Sequence, residues 1–374
     1  MDRFRPFLME RWQSTWEYEV EFNLSESGVH PLTVGELLAL AGADVDQLVL
    51  GYGQSNGSRE LRGHIARLYR GASESNIVVT NGSAEANFVV MWNLVEAGDA
   101  VAAIVPTYMQ APGLAHALRA EVREIPLRLE LDWQPDPDDI AARVTERTRV
   151  IVVTNPNNPT GAVLSEEART AIVRAADRVG AWILADEVYT GAELSGRVTP
   201  SFFGEYPRVV ATGSLSKAYG LPGLRVGWVV APVDKAAELW ARTDYTTISP
   251  GELTDRLAAM ALRPDVRDRI MERTRTYLHG GLAILEEWMR EQGVFSWRPP
   301  QAGAICFAKY DLPMNSSELA ERLRADRSVL VVPGDHFGLD GHIRLGYGLP
   351  QNALKAALSR VAETVTELRP ARVG

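Results

Sequence analysis

The chain has 374 residues, 46% apolar and 23% charged, with 39 basic against 48 acidic side chains and a formal charge of −9. This is the make-up of an ordinary globular protein long enough for a large core or two domains, and its negative balance disfavours broad nucleic-acid or anionic-membrane binding. A single cysteine, Cys306, excludes an intramolecular disulfide and suits a reducing, cytoplasmic location, while no segment reaches the roughly 18 apolar residues of a membrane span and the start MDRFRPFLMERWQ lacks the apolar run of a leader.

In chain order, SRELRGHIARLY (58–69) has helical periodicity and NIVVT (76–80) reads as a short strand. A helix follows over 84–95, a strand over AVAAIVP (100–106) and a helix over 111–118. RVIVVTNP (149–156), a helix over 166–179, AWILADE (181–187), RVVATGS (208–214) and the strand-like VGWVVA (226–231) continue the series. Short strands, apolar on both faces and separated by amphipathic helices, predict an α/β fold with a mainly parallel sheet covered by helices. After about residue 265 the texture changes to long charged helices (265–292) and then RPPQAGAICFAKY (298–310), LVVPGDHFG (330–338) and HIRLGYG (342–348), which predicts a second, smaller α+β domain.

Active groups in such sheets gather beyond the carboxyl ends of the strands. The strand exits here are TNGSAEA (80–86), VPTY (105–108), TNPNNPTG (154–161), ADEVY (185–189) and TGSLSK (212–217). Every one carries polar or aromatic residues where packing alone accepts almost anything.

SLSKAYGLPGLRVGW (214–228), NPNNPTG (155–161), ADEVY and HIRLGYG together resemble the class I/II aminotransferases, the fold-type-I enzymes dependent on pyridoxal phosphate. The resemblance runs from LGYGQSNGSRELR (50–62) to Arg344 and implies a large cofactor-binding domain over 41–270. It also implies a small domain over 271–374, joined by an N-terminal arm over 1–40. Lys217 is by resemblance the Schiff-base lysine, and such an amine is expected to have a lowered pKa. Ser214, Ser216 and Arg225 suit the cofactor phosphate, as do Gly82, Ser83 and Ala84 at a helix N-terminus. Asp186 matches the carboxylate that keeps the pyridine nitrogen protonated. Asn158 and Tyr189 match the pair that bonds the ring's 3-oxygen, and Tyr108 the aromatic that stacks on the ring. Arg344 matches the arginine that takes a substrate α-carboxylate, so an amino-acid substrate is implied. Tyr52 matches a residue that reaches the neighbouring subunit's cofactor phosphate, which implies a homodimer. No metal site is expected.

The stretch MERWQSTWEYEVEFNLSESGVHPLTVGEL (9–37) resembles the start of the capreomycidine synthases, members of this family that cyclise a hydroxylated arginine, above all in SGVH and in the spacing from Trp12. That resemblance implies that Gly28 lies over the substrate and that Glu17, Glu26 or His30 sits near a guanidinium. Transamination is the first expectation, on the frequency of that reaction in the family. Cyclisation or elimination on a cationic amino acid is the second. A DNA-linked regulator of the same fold carries an additional N-terminal domain, whereas the aminotransferase pattern here begins by about residue 20.

Overall fold

A computed structural model describes residues 5–369. Its main feature is an eight-stranded mixed sheet. Five strands run parallel through its middle, in the order Val209–Ser214, Trp182–Asp186, Thr148–Thr154, Ala100–Val105 and Glu121–Arg128. Antiparallel strands close it: Gly227–Val230 pairs with both Val209–Ser214 and Ile77–Thr80, and Gln134–Pro135 pairs with Glu121–Arg128.

Alternation along the strands explains why both faces are covered. Val101, Val150, Val152, Leu184 and Val210 point into one apolar layer, packed with Ala86, Val89 and Val90 of helix Ser83–Leu94. Their neighbours Ala102, Ile104, Ile151, Val153, Ile183 and Ala185 point into the other layer, with Ile172 and Ala176 of helix Glu166–Val179. Successive residues of a strand face opposite ways, and each fully buried aliphatic side chain contributes about 1.5–3 kcal/mol. Helix Glu166–Val179 has the limits expected from its sequence: the Ser165 hydroxyl accepts from the N–H of Ala168, and Gly180 ends the last turn with φ 68°.

The C-terminal residues build a four-stranded antiparallel sheet of Phe295–Ser296, Ile305–Tyr310, His342–Gly346 and Val332–Pro333. The expected boundary at 270/271 falls inside one continuous helix, Pro264–Gln292, so the chain passes from the first sheet towards the second without a break. The N-terminal residues reach the C-terminal ones directly: Phe22–Asn23 pairs in parallel with Val329–Leu330, and the indole N–H of Trp12 donates to the Val331 carbonyl. Strand Glu121–Arg128 and the closing helix Gln351–Leu368 have no counterpart in the elements expected from sequence.

Candidate active site

The carboxyl ends of the parallel strands open onto a cavity of about 970 Å³. Lys217, Ser216, Tyr189, Asn158, Tyr108, Ser83, Ala84, Arg225 and Arg344 all line it, so the structure brings together most of the residues singled out from separate motifs. Lys217 follows strand Val209–Ser214 by three positions. Ser214 is buried just below, its hydroxyl oxygen accepting the N–H of Ser216, which leaves its O–H free to donate. Helix Ser83–Leu94 begins at the cavity edge with no side chain capping its first turn, and Ser83 and Ala84 line the cavity there. Gly82, at φ 80°, precedes it; a Cβ there would lie 2.4 Å from an Nη of Arg225. Only glycine lets that guanidinium close over the helix end.

Asp186 ends its strand behind this wall. The Asn87 amide donates to it at 3.0 Å and the Val188 N–H at 3.3 Å. Asn87 is itself fixed by a bond from Thr212 on the next strand. Burial raises the Asp186 carboxyl above its ordinary value despite these donors. No salt bridge reaches it among the described residues. Asn87 was not found from sequence, although it follows Ser83 by one helical turn and so shares its face.

The far side of the cavity is a roof made by helix Leu8–Trp16 and the arm after it. Glu10, on that helix, accepts the Tyr108 hydroxyl at 2.9 Å, and Phe7 packs edge-on to the same ring. Arg344, 1% exposed, donates to Asn158 at 2.8 Å and to the Ser25 carbonyl, while its Nε has no partner. The Tyr189 hydroxyl donates to Ser27 at 3.0 Å. Glu10 and Ser27 were invisible in the sequence because each acts across a fold-back of the chain.

The arm is laid on the Lys217 loop through its backbone. Val29 N–H donates to the Lys217 carbonyl and Leu32 N–H to that of Gly220. A Cβ on Gly28 would lie 3.1 Å from the Ser216 carbonyl oxygen, so Gly28 packs against the lysine loop, and it does not itself line the cavity. Glu26 then reaches Lys217: its Oε1 accepts from Nζ at 3.0 Å and from the N–H groups of Ser27 and Gly28. Glu17, at the end of helix Leu8–Trp16, also lines the cavity.

Two expectations need correction. The Lys217 amine is raised rather than lowered: burial alone lowers it, but the Glu26 carboxylate in direct contact reverses the sign. His30 does not line the cavity. Its backbone donates to the Gly348 carbonyl and its exposed ring lies 5.9 Å from Tyr277, which turns the imidazole away from the site. Tyr52, expected to serve the neighbouring subunit's site, is 93% exposed and does not line the cavity of its own chain.

The electrostatics of the roof are acidic. Burial works against ionisation of Glu26, yet the Lys217 ammonium and the two N–H groups outweigh it and hold its pKa to about 2. Glu17 is pushed the other way, first by burial and then by Glu26 and Glu10.

The model of the family "Aminotransferase class I and II" matches residues 32–361. The chain belongs to that family. Capreomycidine synthase of Streptomyces vinaceus is 35% identical over 372 residues, covering 98% of this chain and 95% of that one. A PLP-dependent aminotransferase of Streptococcus suis superposes with a TM-score of 0.93 at 32% identity, covering 99% and 100% of the two chains. The PLP-dependent cyclase OrfR superposes with a TM-score of 0.90 at 28% identity, covering 98% of each. This family member is accordingly a pyridoxal-phosphate-dependent enzyme with the fold-type-I architecture. No helix among the described residues is long and apolar enough to cross a membrane.

Proposed function

We propose that this enzyme acts on an α-amino acid with a cationic, guanidinium-like side chain, in the manner of a capreomycidine synthase. One observation carries the proposal: Glu10, Glu17 and Glu26 share the cavity with Arg344. Glu26 is engaged by Lys217 and Glu10 by Tyr108. Glu17 has no side-chain hydrogen bond or salt bridge among the described residues. An unpaired carboxylate in a partly desolvated cavity favours a cation, and a charge-assisted contact there contributes about 1.5–3 kcal/mol. Arg344, with its unpartnered Nε, suits the substrate carboxylate. The full-length similarity to capreomycidine synthase and the likeness to a cyclase support the same reading.

The residues present fit pyridoxal phosphate. The uncapped helix start at Ser83 and Ala84, the Arg225 guanidinium over Gly82 and the free O–H of Ser214 suit a phosphate. Asp186 is a buried carboxyl that lacks a cationic partner, which a protonated ring nitrogen provides. Tyr108 offers a ring face, Asn158 its amide N–H, and Tyr189 a hydroxyl that would have to turn from Ser27 to donate to the cofactor. When bound, the cofactor supplies an electron sink that makes the substrate Cα–H acidic. Lys217 Nζ, on the cavity floor, holds the cofactor and then takes the Cα proton. Arg344 orients the carboxylate, and Glu17 draws the side-chain cation to the roof.

A second reading, transamination, is favoured by the likeness to the Streptococcus suis aminotransferase. Mixing holoenzyme with single amino acids separates the two. Arginine and hydroxyarginines should perturb the cofactor absorbance at concentrations at least about tenfold below leucine or glutamate, a ratio one charge-assisted contact supplies. Conversion to the amine form of the cofactor without a keto acid marks transamination. Equal responses to arginine and leucine contradict the cationic assignment.

We also infer a homodimer. Val49, Leu50 and Tyr52 are 80%, 76% and 93% exposed in one short stretch, apolar surface that a second copy would cover. Sedimentation that finds an active monomer would exclude it.

A further inference from the structure

We propose that Glu26 is the counter-ion that keeps on Lys217 the proton taken from the substrate, and thereby turns the site away from transamination and towards chemistry at the substrate side chain. The proposal rests on the role given above to Lys217. It deepens that reading by assigning the choice of reaction to a residue of the arm.

The geometry is a fixed one. Glu26 Oε1 collects three donors, Lys217 Nζ at 3.0 Å and the N–H groups of Ser27 at 2.8 Å and Gly28 at 2.9 Å. The arm that carries Glu26 is bonded to the backbone of the lysine loop at Lys217 and Gly220, and a Cβ on Gly28 would lie 3.1 Å from the Ser216 carbonyl oxygen. The backbone contacts thus hold the carboxylate beside the amine. Other charges face the amine as well. Tyr189, Asp186 and Glu17 favour its charged form and Arg344 opposes it. Glu26 is the one in direct contact, and it sets the sign.

When Lys217 acts as base, the Cα–H bond breaks, its electron pair stays with the carbon, and an N–H bond forms on Nζ. Glu26 neutralises the ammonium that results and makes this step more favourable. Transamination requires the reverse act next: the same ammonium must surrender its proton to the cofactor carbon it was first bound to. An ammonium in a close ion pair is a poorer acid, so that delivery is slowed. Expulsion of a Cβ substituent by the electron pair left on Cα needs no proton at that carbon; a hydroxyl leaves with the electrons of the Cβ–O bond and is protonated from solvent, to which Lys217 releases the Cα proton at the end of the turnover, so that one water is lost overall. Glu26 is thus a positioning residue that acts through Lys217.

The test uses holoenzyme of Glu26→Gln and Glu26→Asp. Glutamine keeps an oxygen to accept the Ser27 and Gly28 N–H groups, so the arm stays seated. In Glu26→Gln the pH midpoint of the bound cofactor's visible absorbance should fall by about one unit or more, a tenfold change in the proton equilibrium. The share of turnovers that end in the amine form of the cofactor should rise about tenfold. Glu26→Asp, which keeps the charge, should restore most of both effects. An unchanged midpoint and partition in Glu26→Gln, or identical behaviour of the two variants, overturns the proposal. Failure of the underlying role looks different: wild-type protein would then show no titrating band that Lys217→Ala removes.

Discussion

The two sides of the cavity are built in different ways. The floor stands at the ends of strands Thr148–Thr154, Trp182–Asp186 and Val209–Ser214, which are buried on both faces in the middle of the sheet. The roof is a nine-residue helix and an arm, joined to the C-terminal residues by a two-residue strand pairing and a few hydrogen bonds. Floor residues are fixed by the packing that makes the fold, so their chemistry is common to many enzymes of this architecture. Roof residues are fixed by local bonds and can be exchanged without disturbing the sheet, which makes the roof the natural place for substrate and reaction choice.

If that division holds, floor substitutions abolish chemistry and roof substitutions redirect it. The largest effect is expected at Lys217. Lys217→Ala should lower turnover at least about 10³-fold, as loss of a covalent nucleophile does, and remove the visible absorbance of the bound cofactor; activity at the wild-type level would overturn the account of the floor. Asp186→Asn should bind the cofactor yet slow Cα proton exchange about 10²–10³-fold, the cost of losing one buried charge-stabilising group. Exchange at the normal rate, followed by loss of deuterium from a labelled substrate, would show that Asp186 does not serve the ring.

A smaller effect concerns stability behind the floor. Glu187 is buried beside Asp186, accepts from Ser201 and the Phe202 N–H, and burial pushes its pKa from 4.5 to about 7. Its unfolded carboxyl ionises near 4.5 and its folded one near 7, so the stability it contributes is fully present below pH 4.5 and is lost as the pH rises through 7. The loss is at most on the order of 3 kcal/mol. Thermal unfolding of Glu187→Gln should depend less on pH between 5 and 8 than that of the wild type; parallel pH profiles would contradict this.

The same division describes what could be read in the sequence. Lys217, Asp186, Asn158 and the Ser83 helix start could be singled out because each ends its strand or follows it within a few residues, and the strand ends of a parallel sheet converge. Arg344 was legible through its motif. The roof was not. Phe22–Asn23 meets Val329–Leu330 across more than three hundred residues, and nothing local in Glu10 or Ser27 reveals that Tyr108 and Tyr189 are their partners. Glu26 could be suspected of facing a cation, but not that the cation in direct contact is Lys217, so the shift of that amine was expected with the wrong sign. His30 looked like part of the site because it neighbours Gly28 in sequence. The arm's bond to Gly348 turns it outward. Strand Glu121–Arg128 escaped notice because its outer residues are charged and exposed.

Glu17→Gln is the sharpest probe of the cationic side-chain site, since one substitution in the roof can be measured against both sides of the cavity. Titration of the variant with pyridoxal phosphate, and then of its holoenzyme with arginine, a hydroxyarginine and leucine, gives both answers from one absorbance signal. Cofactor affinity should stay unchanged while the preference for the cationic amino acids falls about 10–100-fold, the worth of one charge-assisted contact. An arginine preference that survives intact, or a loss of cofactor binding with no change in preference, would contradict it.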